Sequence, residues 1–277
     1  MHGLEPVSAF ELGPAILFCP GDRPERFAKA AVRADAVILD LEDAVAPGDK
    51  AAARDAVRIH PLDPSRTIVR VNPVDTDDFA LDLAALAHTG YRMVMLAKAS
   101  SAGQIEQLVG YEVIALCETA AGVIAAAEIA AMPGVIALMW GAEDLVVSLG
   151  GTSSRFPGGG YRDVAKHARS SILLAAATHG KQAIDAVHLD INDLDGLAAE
   201  ANDAVASGFA ATACIHPSQV SVIRSAYAPS DAEVASAREL LSAATGQRGV
   251  FTFQGRMIDG PVLRHATTVL ARASSAG

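Results

Sequence analysis

The chain has 277 residues, of which 51% are hydrophobic and 5% aromatic, so it can bury the core of one barrel-sized domain or of two smaller ones. Its formal net charge of −10 argues against a nucleic-acid or anionic-membrane partner, because either would favour a basic surface. The three cysteines lie within or at the ends of apolar runs, which predicts buried thiols in a reducing compartment rather than a disulfide framework.

The beginning of the chain and its apolar stretches bear on localisation. The opening MHGLEPVSAFELGP contains acids but no lysine or arginine, which indicates neither a signal peptide nor a transit peptide. The longest apolar stretches are too short, or too often interrupted by charges, to span a bilayer. We therefore expect a cytoplasmic protein with no membrane partner.

Short apolar runs alternate with helical segments along most of the chain. The predicted strands are residues 15–19, 36–39, 67–71, 93–96, 113–117, 135–140, 183–189 and 211–215. The predicted helices between them are residues 25–34, 49–59, 77–89, 102–108, 121–132, 161–179 and 193–207. Fully apolar runs bounded by turn residues are typical of buried parallel strands, and eight strands alternating with helices predict a (β/α)₈ TIM barrel.

The C-terminal part does not fit inside that count. Residues 231–244 are predicted to be helical, VFTFQ at 250–254 is a short β-like segment, and MIDGP at 257–261 is a turn into a last helix. We therefore expect a barrel domain over residues 1–228 and a C-terminal extension of helix and β-turn over residues 229–277.

Two carboxylates stand where successive predicted strands end. The fifth strand stops at Glu118, and the sixth stops at GAED, whose last residue is Asp144. Because the carboxyl ends of parallel strands form the ligand-binding face, both acids should reach the same rim of the barrel. Paired carboxylates without a neighbouring His or Cys cluster suit a hard cation such as Mg²⁺. The alternative is that each acid only caps the helix that follows it.

Other charged residues end the remaining strands. Arg70 is costly to bury unless it meets a carboxylate or an enolate oxygen, and its alternative role is an ion pair with Asp40 or Glu42. The acids of LDLED would either cap a helix or support the waters of a bound cation. The predicted rim consists of Arg23, Asp40, Glu42, Asp43, Arg70, Lys98, Glu118, Asp144, Asp190 and His216.

This set of residues predicts a class of chemistry. A cation held by two acids beside an arginine chelates an α-keto or α-hydroxy acid through two oxygens and stabilises the negative charge that develops on them. The reaction class is therefore the making or breaking of a bond through an enolate.

Seven segments, in the same order along the chain, resemble the citrate lyase β-subunit (CitE-like) family within the HpcH/HpaI aldolase superfamily. They are LFCPGDRPERFAKA, VILDLEDAV, IVRVN, ALCETAAGV, GAEDL, ACIHPSQ and FQGRMIDGPVL. The resemblance covers nearly the whole chain. It implies a magnesium-dependent (β/α)₈ lyase that cleaves β-hydroxyacyl thioesters such as citryl-, malyl- or citramalyl-CoA into a keto acid, for example oxaloacetate, and an acyl-CoA.

The resemblance also implies roles for individual residues. Glu118 and Asp144 would hold the metal, and Arg70 would contact the substrate carboxylate and the enolate. Asp259, in the MIDGP turn, matches an acid that such enzymes lend to the neighbouring subunit's site as acid or base, which implies a homo-oligomer, expected to be a trimer. Its alternative role is an N-cap. The expected catalytic residues are thus Arg70, Asp259 and Glu118, and the expected substrate-binding residues are Arg23, Arg70, Glu118, Asp43 and Lys98.

Two segments depart from the family pattern or from a standard motif. After the fourth strand the family usually has Leu-Pro-Lys-Ala-Glu, whereas this chain has LAKAS at 96–100. The sequence therefore does not decide whether the thioester carrier is CoA or an acyl-carrier protein. The Gly-rich segment 150–160 lacks the GxxxxGK[ST] pattern of a phosphate-binding loop, and we interpret it as a mobile loop at the edge of the site.

Three other functions compete with a lyase on CoA thioesters. The first is a β subunit that acts only inside a citrate lyase complex, on a protein-tethered citryl group. The second is an aldolase or condensing enzyme on free pyruvate-type acids. The third is a barrel kept for binding or regulation without chemistry, although the joint presence of both acids, Arg70 and Asp259 argues against it.

Overall fold

The structure is a computed structural model that describes residues 12–247 and 249–275. It contains two compact units, Met1–Ile223 and Arg224–Gly277, and each is described here by itself.

The first unit is built on eight parallel strands that close into a barrel in sequence order. The strands are β1 (Ala15–Pro20), β2 (Ala36–Asp40), β3 (Thr67–Val71), β4 (Met93–Leu96), β5 (Glu112–Leu116), β6 (Val135–Met139), β7 (Gln182–Asp185) and β8 (Ala211–Cys214). Pairing of β1 with β8, with Ile16 opposite Ala213, closes the ring. The predicted (β/α)₈ TIM barrel is confirmed.

Helices follow the strands in turn. They are α1 (Pro24–Arg33), α2 (Lys50–Ile59), α3 (Asp77–Leu86), α4 (Ala102–Ile105), α5 (Ala120–Ala130), α6 (Ala142–Ser148), α7 (Asp163–Thr178), α8 (Leu194–Ser207) and α9 (Pro217–Tyr227). The predicted buried state of the three cysteines is confirmed, since Cys19, Cys117 and Cys214 are all buried thiols.

The barrel interior explains which residues reach its rim. Ile38, Ile68 and Leu116 belong to the buried apolar core of the barrel. Side chains alternate along a strand, so the residue two positions later points to the same side. Two positions beyond these three apolar residues stand Asp40, Arg70 and Glu118. The interior face of the strands therefore changes from apolar to charged at its carboxyl end.

The structure differs from the sequence-based prediction at three elements, one of which is α6, a helix where none was predicted. The seventh strand ends at Asp185 rather than at residue 189, because Asp185 Oδ1 accepts a hydrogen bond from the next backbone N–H, that of Ala186 (3.0 Å), and turns the chain out of the sheet. Helix α9 was not predicted. Its signal is Pro217 at the first helical position, directly after His216.

The second unit has a small apolar core of its own. It consists of α10 (Asp231–Ala244), an antiparallel pair of strands β9 (Phe251–Phe253) and β10 (Arg256–Ile258), and α11 (Gly260–Ser275). A capping box of Ser230 and Glu233 starts α10. No helix in the described part of the chain is long and apolar enough to cross a membrane.

Candidate active site

Arg70 lies in a buried ion pair at the ends of β2 and β3. Asp40 and Arg70 are opposite one another in the β2–β3 ladder, and Nε of Arg70 donates to Oδ1 of Asp40 at 2.7 Å while Nη2 donates to Oδ2. The third nitrogen, Nη1, is 3.1 Å from Oε2 of Glu42. The ion pair considered as the alternative role of Arg70 is therefore present. Because a guanidinium has five N–H donors, two are not engaged by these three contacts.

Asp40, the first acid of LDLED and the last residue of β2, fixes both Arg70 and the turn that follows the strand. Asp40 also accepts the backbone N–H groups of Glu42 (2.9 Å) and Ala44 (3.1 Å), so it fixes the turn that follows β2. Burial alone would lower the pKa of Arg70, but the charges of Asp40 and Glu42 outweigh it and raise that pKa above its usual range. The guanidinium is thus held permanently charged, in one orientation.

Four residues that sequence reasoning missed support this part of the rim. Lys50 donates to the carbonyls of Leu41 (2.9 Å) and Glu42 (3.1 Å) and to Oδ1 of Asn72 (2.6 Å). Asn72 Nδ2 in turn donates to Oδ2 of the buried Asp82 (2.7 Å). The Arg70 guanidinium carbon also lies 5.0 Å from the centre of the Phe18 ring. Helix residues such as Lys50 and Asp82 carry no local signal for a role at a strand end.

Glu118 is buried at the end of β5 and does not cap a helix. Its side chain accepts a hydrogen bond from the Lys98 backbone N–H (3.2 Å), whereas α5 is capped by Thr119, whose hydroxyl accepts from Gly122 N. The other carboxylate oxygen lies against Gly141, where an added Cβ would stand 2.7 Å from Oε2. The Glu118 carboxylate, two residues after β5, therefore packs directly on the residue that precedes α6.

Asp144 lies in the first turn of α6, three residues after Gly141. Because Glu118 packs against Gly141, its carboxylate lies at the start of the helix that contains Asp144. One oxygen of Asp144 is 3.4 Å from the Lys98 ammonium, and its side chain is about one-third exposed. Lys98 thus contacts both predicted metal ligands, Glu118 through its backbone and Asp144 through its side chain. The structure brings the two acids to the same rim.

Lys98 is the residue that joins the two sides of the rim. Its ammonium contacts Glu42, Asp43 (3.3 Å) and Asp144 (3.4 Å). Its backbone is left-handed, with φ of 53°, a conformation that costs a non-glycine residue on the order of 1 kcal/mol and is concentrated at functional sites. In this conformation the backbone N–H and the ammonium both face carboxylates.

The charge of the rim is predominantly negative. Burial first, and then the negative charge of Asp144, raises the pKa of Glu118 to about 8, although Arg70 and Lys98 act in the opposite direction. The two basic residues face five acids, which are Asp40, Glu42, Asp43, Glu118 and Asp144. An additional positive charge would stabilise ionised Glu118.

Glu118, two residues after β5, and Asp144, in the first turn of α6, fit a magnesium ion. Both offer carboxylate oxygens, and Glu118 faces the glycine that precedes the helix carrying Asp144, with no Cβ between them. Among the residues that the structure describes, no group of three or more His, Cys, Asp or Glu side chains is arranged to hold a metal. A pair of carboxylates suits magnesium, which keeps several waters and binds through one or two carboxylates, better than a metal that needs a full protein cage.

The other predicted site residues have local contacts. Arg23 precedes α1, with Nε 3.7 Å from Asp22, and Asp190 accepts from Asn192 N (3.0 Å) in the loop after β7. His216 contacts the Ser218 hydroxyl (2.7 Å) before α9. Asp259 belongs to the second unit, where its Oδ1 accepts from Val262 N (3.3 Å) at the start of α11, as the N-cap alternative expects.

Comparison with known proteins places the chain in a family. Residues 15–217 match HpcH/HpaI aldolase/citrate lyase, and residues 158–277 match C-C bond lyases of the TIM-barrel fold. A citrate lyase subunit beta-like protein of Mycobacterium tuberculosis is 59% identical over 264 residues, which cover 95% of this chain and 97% of the relative.

Two solved structures from Mycobacterium tuberculosis are also similar. Protein CitE in complex with magnesium, acetoacetate and coenzyme A superposes with a TM-score of 0.91 at 58% identity, over 97% of this chain and 100% of that one. A citrate lyase beta subunit with oxaloacetate and magnesium has a TM-score of 0.78 at 60% identity, over 80% of this chain and 99% of that one. The resemblance inferred from the sequence is confirmed, and the chain belongs to the HpcH/HpaI aldolase/citrate lyase family.

Proposed function

We propose that this chain is a magnesium-dependent carbon–carbon lyase that cleaves a β-hydroxyacyl-CoA into a keto acid and an acyl-CoA. The observation that carries the proposal is the contact of Lys98 with both Glu118 and Asp144, which puts two carboxylates of neighbouring strands on one rim beside Arg70. The relatives solved with magnesium, with oxaloacetate or acetoacetate, and with coenzyme A support the same ligand classes.

Glu118 and Asp144 are the residues that would hold the metal. When bound, magnesium would supply Lewis acidity that stabilises negative charge on the oxygens of the keto acid. A bound cation would stabilise the ionised form of Glu118, whose pKa is raised to about 8 by burial and by the charge of Asp144, and below that pH the cation has to displace a proton.

Arg70 stabilises the negative charge that develops in the reaction. Asp40 and Glu42 fix the guanidinium, and its two remaining N–H groups stabilise the thioester enolate as the carbon–carbon bond breaks. Lys98, Asp43 and Arg23 are the further substrate-binding residues that we propose on this rim.

The reaction needs one proton removed from the β-hydroxyl group and one delivered to the carbon of the enolate. We assign delivery to Asp259, lent by a neighbouring subunit of a homotrimer, and we propose that the protein is cytoplasmic. Asp259→Asn keeps an acceptor for Val262 N, so the start of α11 should be preserved while turnover is abolished.

The direct test measures keto-acid release from citryl-, malyl- and citramalyl-CoA, with magnesium or with a chelator. We expect turnover of at least one thioester, dependent on magnesium and lost in Asp259→Asn, while calorimetry shows unchanged magnesium binding in that variant. Normal turnover by Asp259→Asn would remove this residue from the mechanism. Sedimentation would test the trimer independently.

The same assays separate the competing functions. Activity only with an acyl-carrier protein substrate would identify a citrate lyase subunit that works on a tethered citryl group. Condensation of glyoxylate with pyruvate, without any thioester, would identify an aldolase on free acids. Magnesium binding without turnover of any of these substrates would leave a binding or regulatory barrel.

A further inference from the structure

The Gly-rich segment after α6 makes specific contacts with the element that carries Asp144. We call residues 150–162 the α6–α7 segment. Ser154 in this segment is 2% exposed, and its hydroxyl donates to Oε1 of Glu143 at 2.6 Å. Glu143 is the immediate neighbour of Asp144 in the first turn of α6. The segment therefore reaches back to the turn in which the predicted metal ligand stands.

The other side of the same segment is held by Arg155. Its guanidinium forms a two-pronged ion pair with Glu200 of α8, with Nη2 at 3.2 Å from Oε2, and lies 3.8 Å from the centre of the Tyr161 ring. Tyr161 pairs with Arg155 in an isolated antiparallel bridge and packs edge-on against Trp140, with ring centroids 5.2 Å apart. The interpretation as a mobile loop thus needs refinement, because two side chains tie the segment to the barrel.

Glu200 is itself fixed, which makes it a firm anchor. Nδ1 of the buried His188 lies 2.9 Å from Oε2 of Glu200, so the carboxylate is shared between Arg155 and His188. Trp140, at the other end of the chain of contacts, is fully buried and donates from its indole nitrogen to Oδ1 of Asp185 (2.6 Å). The α6–α7 segment is therefore held between Trp140, directly after β6, and Glu200 of α8.

Helix α6 needs outside support to hold one orientation. It has seven residues, and its N-cap, Gly141, makes no side-chain capping bond. Helices of this length are marginal by themselves and depend on tertiary contacts. Its end is held by Ser148, whose hydroxyl accepts from the backbone N–H of Ala120 (3.0 Å), and its first turn is held by Ser154 through Glu143.

We propose that Ser154 and Arg155 are positioning residues that hold α6 so that Asp144 shares one divalent cation with Glu118. This inference rests on the proposed metal site. Ser154 acts through Glu143, and Arg155 holds the backbone of Ser154 in place through Glu200 and Tyr161. Groups that hydrogen-bond a metal ligand directly contribute about 10- to 100-fold in metal affinity, and Ser154 bonds the neighbour of the ligand, so we expect an effect at the lower end of that range.

The test is magnesium calorimetry on the full chain, with matched variants from the same segment. We expect Ser154→Ala and Arg155→Met each to weaken magnesium binding about tenfold, and activity to recover at high magnesium concentration. The controls are Thr152→Ala and Arg162→Met, because Thr152 is exposed and Arg162 stacks on the exposed ring of Phe156. Both controls should bind magnesium like the wild type.

A double-mutant cycle asks whether Ser154 acts through Glu143. Glu143→Ala should weaken magnesium binding about as much as Ser154→Ala, and the double variant should bind no more weakly than either single one. Glu143→Gln keeps an acceptor for the hydroxyl and should restore affinity to within about threefold of the wild type. If the losses of magnesium affinity were additive in the double variant, Ser154 would not act through Glu143.

The outcomes separate this inference from the proposed function. If the wild type binds magnesium and Glu118→Gln does not, but Ser154→Ala and Arg155→Met bind like the wild type, only the positioning role is overturned. If the wild type does not bind magnesium, the proposed function and this inference both fail. If Arg155→Met does not fold, the Ser154 and Glu143 variants decide the question by themselves.

Discussion

Two corners of the same rim are built from the same kind of residue yet differ in charge balance. The β2–β3 corner consists of Asp40, Glu42 and Arg70, and there each carboxylate meets the guanidinium. The β5–β6 corner consists of Glu118 and Asp144, and the cation that both contact is Lys98, which it shares with Glu42 and Asp43. In both corners acids follow parallel barrel strands.

The comparison distinguishes a complete ion pair from a site that favours an added cation. The β2–β3 corner holds a permanently charged Arg70 whose pKa is raised above its usual range. In the β5–β6 corner, burial and the charge of Asp144 raise the pKa of Glu118 to about 8. The first corner orients a cationic group toward a ligand, whereas the second is stabilised when a divalent ion binds.

The largest expected effect is the loss of the cation from the β5–β6 corner. Glu118→Gln removes one of the two ligands, so magnesium binding and magnesium-dependent turnover should each fall by at least about a thousandfold, more than the loss of an outer partner. Calorimetry and the keto-acid assay measure the two quantities. The matched control is Glu112→Gln at the exposed start of the same strand, which should be neutral. Full binding by Glu118→Gln would contradict the assignment of the corner.

The next effect concerns stability and has opposite signs in the two corners. Asp40→Asn leaves the buried guanidinium undercompensated and should lower the free energy of unfolding by about 3 kcal/mol. Glu118→Gln removes a carboxyl group whose pKa is raised by burial, and should raise that free energy at pH 7, without metal, by on the order of 2 kcal/mol. Urea unfolding in the presence of a chelator measures both. If both variants changed the free energy of unfolding in the same direction, the distinction between the two corners would be wrong.

The third prediction concerns pH. The proton on Glu118 must leave before the carboxylate binds a cation, so magnesium affinity should rise about tenfold per unit below pH 8 and level off above it. The free energy of unfolding of the metal-free protein should change with pH in the opposite direction. The unfolded chain releases this proton near pH 4.5 and the folded chain near pH 8, so stability should fall as pH rises between those values.

Calorimetry and urea unfolding between pH 5 and pH 9 test both trends. Glu118→Gln is the control, because it should abolish the part of the pH dependence that comes from this residue. A magnesium affinity that does not change between pH 6 and pH 8 would show that Glu118 does not have to lose a proton on binding.

The smallest effect should come from the contact between the two elements of the acidic corner. In Gly141→Ala the new Cβ would stand 2.7 Å from Oε2 of Glu118, so the carboxylate must shift and magnesium affinity should fall about fivefold. Gly103→Ala is the matched control, since nothing lies within 4 Å of an added Cβ there. Equal affinities in the two variants would show that the approach of Glu118 to Gly141 is not needed.

The identity of the rim acids was predictable because it follows from local patterns. Glu118 stands directly after a buried apolar run, and Asp40 and Arg70 continue the inward-facing alternation of their strands. Their partners were only partly predictable. The pairing of Arg70 with Asp40 and Glu42 was one of two roles considered, because a sequence does not say which of several acids is nearest in space.

Contacts between distant residues lay beyond the sequence pattern. Lys50 of α2, Asn72 directly after β3 and Asp82 of α3 support the turn after β2. Ser154 reaches Glu143 from a segment that resembles an unstructured loop. Each of these residues is an ordinary polar residue in its local context. Its role depends on how helices and loops pack at the end of the barrel.

The sequence by itself determined the barrel, the family and the positions of Glu118 and Asp144 after two successive strands, although not that Asp144 lies in a helix. These features depend on the alternation of apolar and polar residues and on short motifs, both of which are local. Only the tertiary structure decided that Lys98 adopts a left-handed backbone and contacts both acids, and that the α6–α7 segment is braced on Glu200. Such contacts join residues far apart in the chain, so the geometry of the closed barrel, rather than local propensity, sets them.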